Sequence, residues 1–378
     1  MSDTSDDTGA GRPVRVAIDT GPLHGPRTGI GNGVQWLLDA LHRRDDVETA
    51  PYVTSLRAKL TPPERRLPYP AAAALRLWAQ RRSPSMDRWL GDVDVVHGTN
   101  YVVPPSNRPR LVSVYDCWFL EHPDDAVADV RRAAAVLRRS VDDGAHVVTS
   151  SKATTEKVRE LLGTDRVATV LLGPTPALPQ VVGYPPGGLP DLAGRPFLLS
   201  HGTVERRKNL PTLVAAFGRL AREHPDVRLV VAGAVGNDTD AVTNAIGRLD
   251  PPIAERVIRL GPVDAATKSW LLASARALVY PSLDEGFGFP ILEAQQVGTP
   301  VVASAAGSIP QVAGPAALLS PPLDAEALAA NLYWILTNDE MHAKLVRRGL
   351  ANVSRFSWEA TANQLTELYR QLRDGSRS

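Results

Sequence analysis

Short apolar runs alternate with amphipathic stretches along most of the chain. Valine and leucine dominate the runs, as they do in buried parallel strands, and the runs occupy residues 14–18, 94–97, 111–115, 147–151, 197–200, 227–232, 257–261, 277–280 and 301–303. Stretches with apolar residues at helical spacing lie between them, over residues 34–41, 125–141, 154–162, 210–220, 268–274 and 325–336. This alternation predicts the α/β class, with two doubly wound parallel sheets in Rossmann-like domains.

A proline-rich and glycine-rich segment interrupts the alternation. Residues 173–196 contain seven prolines and five glycines, a composition typical of an extended linker. A chain of 378 residues is also long for a single hydrophobic core. We therefore predict two domains, at residues 13–175 and 196–355, joined by a linker at 176–195. A disordered polar tail would precede them at 1–12, and a final segment would follow at 356–378.

The overall charge and the cysteine content narrow the functional classes. Lysine plus arginine number 42 against 41 aspartates plus glutamates, so the chain shows no general affinity for nucleic acid. The single cysteine, Cys117, excludes a disulfide within the chain and favours a reducing, cytoplasmic location. No run of about 18 apolar residues is present, so we expect no membrane span.

Residues 57–88 carry a local excess of positive charge. Eight arginines and lysines face only Glu64 and Asp87 there, with leucines and tryptophans between them. Such a stretch can be a solvated helix face, can lie on anionic lipid, or can bind an acidic acceptor. Peripheral contact with the inner face of a membrane is therefore an open alternative.

The run from Glu285 to Glu293 (EGFGFPILE) follows a strand and leads into a helix. Gly286 and Gly288 allow backbone N–H groups to approach an anion, and Pro290 suits the first turn of a helix. Because a helix N-terminus favours negative charge, this turn can receive a diphosphate while the two carboxylates hold hydroxyl groups. We interpret the run as a nucleotide-sugar site; the alternative is a strand–turn–helix corner with solvated glutamates.

Two further segments carry residues suited to phosphate. Arg207 and Lys208 follow the strand at 197–200 and can neutralise a diphosphate. The glycine-rich segment 28–33 follows the first strand but does not match the dinucleotide fingerprint GxGxxG. It can approach a phosphate or a sugar, or can be a flexible turn.

Polar residues end several of the predicted strands. In doubly wound sheets ligands bind beyond the carboxyl ends of the strands, which makes candidates of His97, Asn100, Tyr115, Asp116 and His201. The Asp92-Val-Asp94 pair precedes its strand, so we interpret it as a strand-entry turn and predict no metal site.

Six motifs in order carry a resemblance to a known family. The segment 202–209 (GTVERRKN) and the run EGFGFPILE occur with VVAG ending at Gly233, RLGPV at 259–263, GTPVVAS at 298–304 and FSWE at 356–359. Together they resemble the retaining glycosyltransferases of family 4, which have the GT-B fold. The resemblance covers residues 14–372 and is stronger in the second half.

The resemblance implies roles for the domains and for individual residues. The N-terminal domain would face the acceptor, the C-terminal domain would bind the donor, and the segment 356–378 would form a helix that crosses back. Glu293 would bind ribose, Glu285 the transferred sugar, and Arg207 with Lys208 the diphosphate. The remaining donor-binding positions would be Gly29, Gly31, Gly202, Gly233, Pro262, Val263, Ser282, Phe287, Gly288, Phe289 and Leu292.

The implied activity is transfer of a sugar from a nucleotide-diphosphate sugar to an acceptor hydroxyl, without cofactor or metal. The donor would be of the NDP-glucose, NDP-mannose or NDP-N-acetylglucosamine type, and the acceptor a sugar, a lipid-linked sugar or a natural product. Alternatives within this architecture are a nucleotide-sugar epimerase and a binding protein with impaired catalysis.

Position 115 departs from the family pattern. Family members usually have His-Asp at the end of this strand, whereas this chain has Tyr115-Asp116. A phenol with a pKa near 10 is a poor general base at neutral pH. Asp116 or His122 could take over the function of the histidine. Alternatively, Asp116 could have a purely structural role as a cap of its loop.

Overall fold

The computed structural model describes residues 12–25, 28–81, 84–176, 178, 189, 192 and 194–376. Nearly all of the predicted tail at 1–12, most of the predicted linker at 176–195, and Arg82 of the basic stretch lie outside the described residues.

The first half of the chain forms a seven-stranded sheet in which all paired strands are parallel. Its strands are β1 (Val14–Asp19), β2 (Val47–Val53), β3 (Arg65–Arg66), β4 (Val95–Gly98), β5 (Arg110–Val114), β6 (His146–Thr149) and β7 (Val167–Thr169), in the order β3-β2-β1-β4-β5-β6-β7. The helices are α1 (Gly29–Leu41), α2 (Ala71–Gln80), α3 (Asp87–Leu90), α4 (Trp118–Glu121), α5 (Ala128–Asp142) and α6 (Lys152–Leu162).

The second half forms a six-stranded parallel sheet. Its strands are β8 (Phe197–His201), β9 (Arg228–Ala232), β10 (Val257–Gly261), β11 (Ala277–Tyr280), β12 (Val301–Ser304) and β13 (Ala317–Ser320), in the order β10-β9-β8-β11-β12-β13. The helices are α7 (Leu210–Glu223), α8 (Thr239–Gly247), α9 (Pro251–Ala254), α10 (Ala265–Ser274), α11 (Phe289–Gln296), α12 (Ile309–Ala313), α13 (Ala325–Thr337), α14 (Asp339–Val353) and α15 (Trp358–Gly375).

Both strand orders are those of doubly wound sheets, and the predicted fold class is confirmed. The central strands β4, β5, β11 and β12 are buried along their whole length, which explains why their sequences are mostly apolar. The sequence prediction missed four strands, β2, β3, β7 and β13. These strands are only partly buried, so their sequences mix polar and apolar residues and lack a clear period.

The last helix, α15, packs on the N-terminal sheet and α1. Tyr369 Oη lies 2.7 Å from His97 Nδ1 at the end of β4, and both side chains are fully buried. At the start of the helix, Trp358 Nε1 donates to the carbonyl of Pro174 at 2.7 Å. The indole also covers Gly173, where a Cβ atom would lie 2.4 Å from the ring.

Contacts between the two sheets' domains are both polar and apolar. Ser150 Oγ donates to the carbonyl of Gly286 at 2.9 Å, and Lys157 Nζ lies 3.2 Å from Asp284 Oδ2. An aromatic cluster adds an apolar contact, since Trp36 of α1 packs edge-on against Phe289 of α11 at 5.6 Å. These contacts hold the carboxyl ends of the two sheets against one cleft.

The basic stretch is built into the N-terminal domain rather than forming one continuous helix. Arg65 donates to the carbonyl of Leu90 at 3.1 Å, and Arg66 donates to that of Ala58 at 2.7 Å. Leu56 and Leu60 remain 54% and 37% exposed. Within the described residues, no helix has both the length and the apolar character needed to cross a membrane.

We expect Tyr369→Phe to destabilise the protein by about 1–3 kcal/mol, because it leaves a buried ring nitrogen of His97 without its partner. Denaturant unfolding measures the loss. Tyr333→Phe is the control, since Tyr333 is 44% exposed and its change should cost less than about 0.5 kcal/mol. Equal stability of the two variants would contradict the structural role of the His97–Tyr369 pair.

Candidate active site

A cleft of about 610 Å³ lies between the two domains, at the carboxyl ends of both sheets. Fourteen of the predicted site residues line it: Gly29, Tyr115, Asp116, Gly202, Arg207, Lys208, Gly233, Pro262, Val263, Glu285, Phe287, Gly288, Phe289 and Glu293. His201 lines it too. The segments that were singled out separately in the sequence therefore meet in one place.

Glu285 is the centre of a buried charge cluster. Its Oε2 accepts from Arg207 Nη1 at 2.8 Å and its Oε1 from Lys208 Nζ at 2.5 Å. Lys208 Nζ also donates to Tyr280 Oη at 2.9 Å. Burial alone would raise the pKa of Glu285, but Lys208 and Arg207 outweigh it and lower that pKa to about 2. The carboxylate is thus ionised throughout the physiological range.

Glu293 is fixed by a second set of contacts one turn into α11. Its Oε1 accepts from Lys268 Nζ at 2.7 Å and from Thr175 Oγ1 at 2.9 Å. His201 lies beside it, and burial lowers the pKa of that imidazole to about 4, so the ring is neutral at pH 7. The buried Nδ1 of His201 has no hydrogen-bond partner among the described residues.

The turn between the two glutamates presents backbone to the cleft. Gly288 has φ of +102°, a conformation that a side chain would strain, and it precedes the first residue of α11. Pro290 occupies the first turn, where its missing N–H costs nothing. The N-terminus of α11 therefore faces the cleft, which Gly288, Phe289 and Pro290 line.

Gly286 is a point of close approach between the domains. A Cβ atom at this position would lie 1.4 Å from the carbonyl oxygen of Tyr115, so only glycine allows the two loops to meet. Through this contact the loop that carries Glu285 lies directly beside Asp116.

Asp116 is held by its own loop. Its Oδ1 accepts from the Trp118 amide at 3.1 Å, and Tyr101 Oη lies 3.4 Å from its Oδ2. Burial raises the pKa of Asp116, Arg207 opposes that shift, and Glu285 adds to it. Burial also raises the pKa of Tyr115 to about 12, so its phenol is not a proton acceptor at neutral pH.

Six predicted site residues do not line the cleft. His97 is buried between Tyr369 and Ser113, with both ring nitrogens occupied, and burial lowers its pKa to about 3. His122 is on the surface and stacks on Trp118. Asn100 lines a separate cavity. The others pack behind the site: Gly31, Ser282 and Leu292.

The glycine-rich segment 28–33 is also different from the expected loop. Thr28 Oγ1 accepts from the Gly31 amide and caps α1, so Gly29 already belongs to the helix. Gly31 packs against the carbonyl of Pro22. The segment therefore presents a helix N-terminus to the cleft, through Thr28, Gly29 and Ile30.

Sequence reasoning missed Lys268 and Thr175, the two partners of Glu293. Lys268 lies on α10 and Thr175 lies at the edge of the proline-rich segment, and no local motif distinguishes either residue. Lys268 lies 25 residues from Glu293 in the sequence, so their ion pair could be recognised only from the folded structure.

The Asp92-Val-Asp94 pair lies at the base of the N-terminal sheet, as a strand-entry turn. Asp94 accepts from Arg12 Nη2 at 2.5 Å, and Asp92 pairs with Arg15 at 2.8 Å. Across the described part of the chain, no three side chains of His, Cys, Asp or Glu are grouped as metal ligands would be.

Comparison with known proteins was made for both sequence and structure. Residues 190–352 match the family model described as "Glycosyl transferases group 1". The O-antigen chain mannosyltransferase B of Escherichia coli is 29% identical over 95% of this chain and 100% of its own length. Residues 190–352 are thus a glycosyltransferase group 1 domain. The protein is a glycosyltransferase that takes its sugar from a nucleotide sugar.

Two further comparisons agree with this result. The phosphatidyl-myo-inositol mannosyltransferase of Mycobacterium leprae is 27% identical over 86% of this chain and 85% of its own. The structure of sucrose-phosphate synthase from Thermosynechococcus elongatus superposes with a TM-score of 0.72, at 21% identity, over 96% of this chain and 100% of that one. The predicted GT-B fold and the resemblance to glycosyltransferases are confirmed.

We expect Gly286→Ala to lower kcat of the glycosyltransferase by about 100-fold, because the added methyl group displaces the loop of Glu285 from Asp116. Gly247→Ala is the matched control, since nothing lies within 4 Å of a Cβ at that position. Steady-state kinetics and nucleotide affinity are measured for both. A Gly286→Ala enzyme with unchanged kcat would contradict the tight contact with Tyr115.

Proposed function

We propose that the protein is a retaining hexosyltransferase of the family 4 type that uses no metal ion or cofactor. The observation that carries this proposal is the arrangement of Arg207 and Lys208 around Glu285 at the N-terminus of α11, with Glu293 eight residues further on. This arrangement offers cations and amide groups to a diphosphate and carboxylates to hydroxyl groups on both sides of it.

Charge development explains why cations are placed there. Glycosyl transfer builds positive charge on the sugar ring and negative charge on the departing diphosphate. Arg207 and Lys208 would stabilise the leaving group, and the N-terminus of α11 would add its dipole. Because Glu285 already orients both cations, little reorganisation is needed when the donor binds. Two fixed cations and a helix N-terminus can replace a divalent metal in this task.

The two carboxylates would recognise hydroxyl groups of the donor. Glu293, held by Lys268 and Thr175, has its Oε2 available for the ribose. Glu285 would contact the transferred sugar. The neutral His201, whose Nδ1 is unpartnered among the described residues, would add a hydrogen bond on the donor side.

A base must take the proton from the hydroxyl group of the acceptor. In front-face retaining transfer the leaving phosphate can take this proton, and Asp116 is the side chain placed to assist it. Its raised pKa brings it closer to the working pH, which favours general-base catalysis. Tyr115 would shape the acceptor side without exchanging a proton.

The names of the relatives guide the choice of substrates. Both the Escherichia coli and the Mycobacterium leprae relatives are mannosyltransferases, so nucleotide-activated mannose is the first donor to test. The second relative's name specifies a lipid acceptor. We propose a cytoplasmic enzyme that contacts the inner membrane face through residues 57–88. Leu56, just before this stretch, and Leu60, within it, are exposed beside Arg57 and Lys59.

Arg207→Met and Lys208→Met should each lower kcat by about 10²–10³-fold, because each removes a cation from the leaving group. The assay is release of nucleoside diphosphate from GDP-mannose, UDP-glucose and UDP-N-acetylglucosamine with a panel of sugar and lipid-linked acceptors. Arg222→Met, on the exposed side of α7, is the matched control. Proton NMR should show that the product keeps the anomeric configuration of the donor, and a chelator should not reduce the rate.

Binding of these nucleotides without any turnover would favour the alternative of a catalytically impaired binding protein. This alternative arises because the raised pKa of Tyr115 makes its phenol a poor general base. Restoration of turnover by Tyr115→His would then identify the lost group.

Asp116→Asn should lower kcat by about 10²–10⁴-fold and remove the acidic limb of the pH–rate profile. A general base must be ionised, so activity falls as pH drops through its pKa, and that pKa lies above the ordinary aspartate value of 3.8. Asp129→Asn, at an exposed side chain of α5, is the control. An unchanged acidic limb in Asp116→Asn would indicate that the departing phosphate is the sole base.

A further inference from the structure

Lys208 is the more deeply placed of the two cations beside Glu285. Its side chain is 12% exposed, against 22% for the side chain of Arg207. Gly202 packs against its stem, since a Cβ atom at Gly202 would lie 3.6 Å from Lys208 Cε. Because a lysine carries its charge on a flexible four-carbon stem, the direction of the ammonium depends on the groups that hold it.

Two acceptors hold the ammonium group of Lys208. One N–H donates to Glu285 Oε1 at 2.5 Å and a second donates to Tyr280 Oη at 2.9 Å. An ammonium has three donors, and no third acceptor contacts it among the described residues, so one N–H remains on a side chain that lines the cleft. Two fixed acceptors set the direction of this remaining donor, whereas one acceptor would let the ammonium swing about a single contact.

Tyr280 has a rigid position. It is the last residue of β11, a strand that is buried along its whole length, and it is only 2% exposed. Its backbone pairs in register with Ala303 of β12. The turn before α11 packs on its ring, since a Cβ atom at Gly288 would lie 3.9 Å from ring carbon Cε1. The sheet therefore sets the position of the phenol oxygen, and no flexible loop is involved.

The phenol of Tyr280 is a neutral acceptor. Burial raises its pKa well above the ordinary value, and Glu285 adds to this shift while Arg207 opposes it. The oxygen therefore accepts a hydrogen bond from Lys208 without bringing a second negative charge to it. This matters because a cation that stabilises a leaving group must keep its charge.

The same contact supports the charged form of Lys208. Burial lowers the pKa of the ammonium, Glu285 opposes this shift, and Arg207 adds to it. A hydrogen bond that the charged form donates favours that form, so the contact with Tyr280 opposes the effect of burial. Tyr280 thus acts on both the direction and the charge of Lys208.

We propose that Tyr280 is a positioning residue: its hydroxyl oxygen, together with Glu285, directs the remaining N–H of Lys208 toward the leaving diphosphate of the donor. This inference rests on the proposed function, because it requires that Lys208 contacts the diphosphate. Tyr280 forms and breaks no covalent bond in the reaction. It acts on the leaving group only through the ammonium that it holds.

The test is a double-mutant cycle on kcat with Tyr280→Phe and Lys208→Met. The donor is the most active of GDP-mannose, UDP-glucose and UDP-N-acetylglucosamine. Tyr280→Phe removes one oxygen atom and should lower kcat about tenfold, the effect of one lost hydrogen bond to a charged group. In the Lys208→Met background the same change should alter kcat less than about twofold, because no ammonium is left to position.

Binding of the same nucleotide sugar is measured by calorimetry for each variant. Negative charge grows on the diphosphate in the transition state, so a misdirected ammonium costs more there than in the bound ground state. The Kd of the donor for Tyr280→Phe should therefore change less than about twofold while kcat falls.

A pH–rate profile gives a further measurement that a loss of folding cannot imitate. Lys208 must be protonated to act, so activity falls as pH rises through its pKa. Loss of the Tyr280 acceptor lowers that pKa and should move the alkaline limb to lower pH. Outside the buried charge cluster, the titratable groups near Lys208 are Glu205, which raises its pKa, and His201, which burial keeps neutral above a pKa of about 4.

Tyr369→Phe is the matched control, since it removes the hydroxyl group of another fully buried tyrosine whose oxygen holds one hydrogen bond. It should lose stability without any shift of the alkaline limb. The melting temperature is recorded for every variant. Tyr280→Met also lacks the hydroxyl group, and its adaptable side chain makes it the second variant if Tyr280→Phe does not fold.

Two results would overturn the inference: an equal loss of kcat from Tyr280→Phe in both backgrounds, or an unchanged kcat and alkaline limb when Tyr280→Phe is made alone. Either result beside an impaired Lys208→Met enzyme would refute only the role of Tyr280. An unimpaired Lys208→Met enzyme would instead overturn the part of the proposed function that places Lys208 on the diphosphate.

Discussion

The active site depends on the pairing of one buried carboxylate with two cations. Glu285 is only 6% exposed, and an isolated charge at that depth would be strongly unfavourable. Arg207 and Lys208 compensate it from a different segment of the chain, the single helical turn after β8. The backbone joins the same two segments, since the Leu283 amide donates to the Arg207 carbonyl at 2.7 Å. The charge balance therefore fixes the relative position of the two loops that we propose to bind the donor.

Asp116 reaches this cluster because the facing loop carries no side chain at Gly286. The N-terminal domain contributes a carboxylate and the C-terminal domain contributes the cations, so neither domain forms the site alone. Two ion pairs also join the domains beside the cleft, Lys157–Asp284 and Arg206–Asp125. In each pair the carboxylate is largely buried while the cation is more exposed, so both pairs add to the polar contact between the domains.

Features that depend on sequence neighbours could be located from the sequence. The central strands were recognised because both faces are buried. Strand ends and a helix start indicated Arg207, Lys208, Glu285 and Glu293, which the structure brings together in the cleft. His97 also ends a strand, yet α15 covers it from 272 residues away, which no local pattern indicates. The same reason explains the missed contacts of Lys268 and Thr175, which depend on how two domains and a linker pack around Glu293.

Trp358 has a mechanical consequence for the molecule. The chain passes between the domains near Gly173 and again before Trp358, and the indole ties the two crossings together through the Pro174 carbonyl. A single side chain therefore couples the segment that leaves the N-terminal domain to the start of the helix that returns to it.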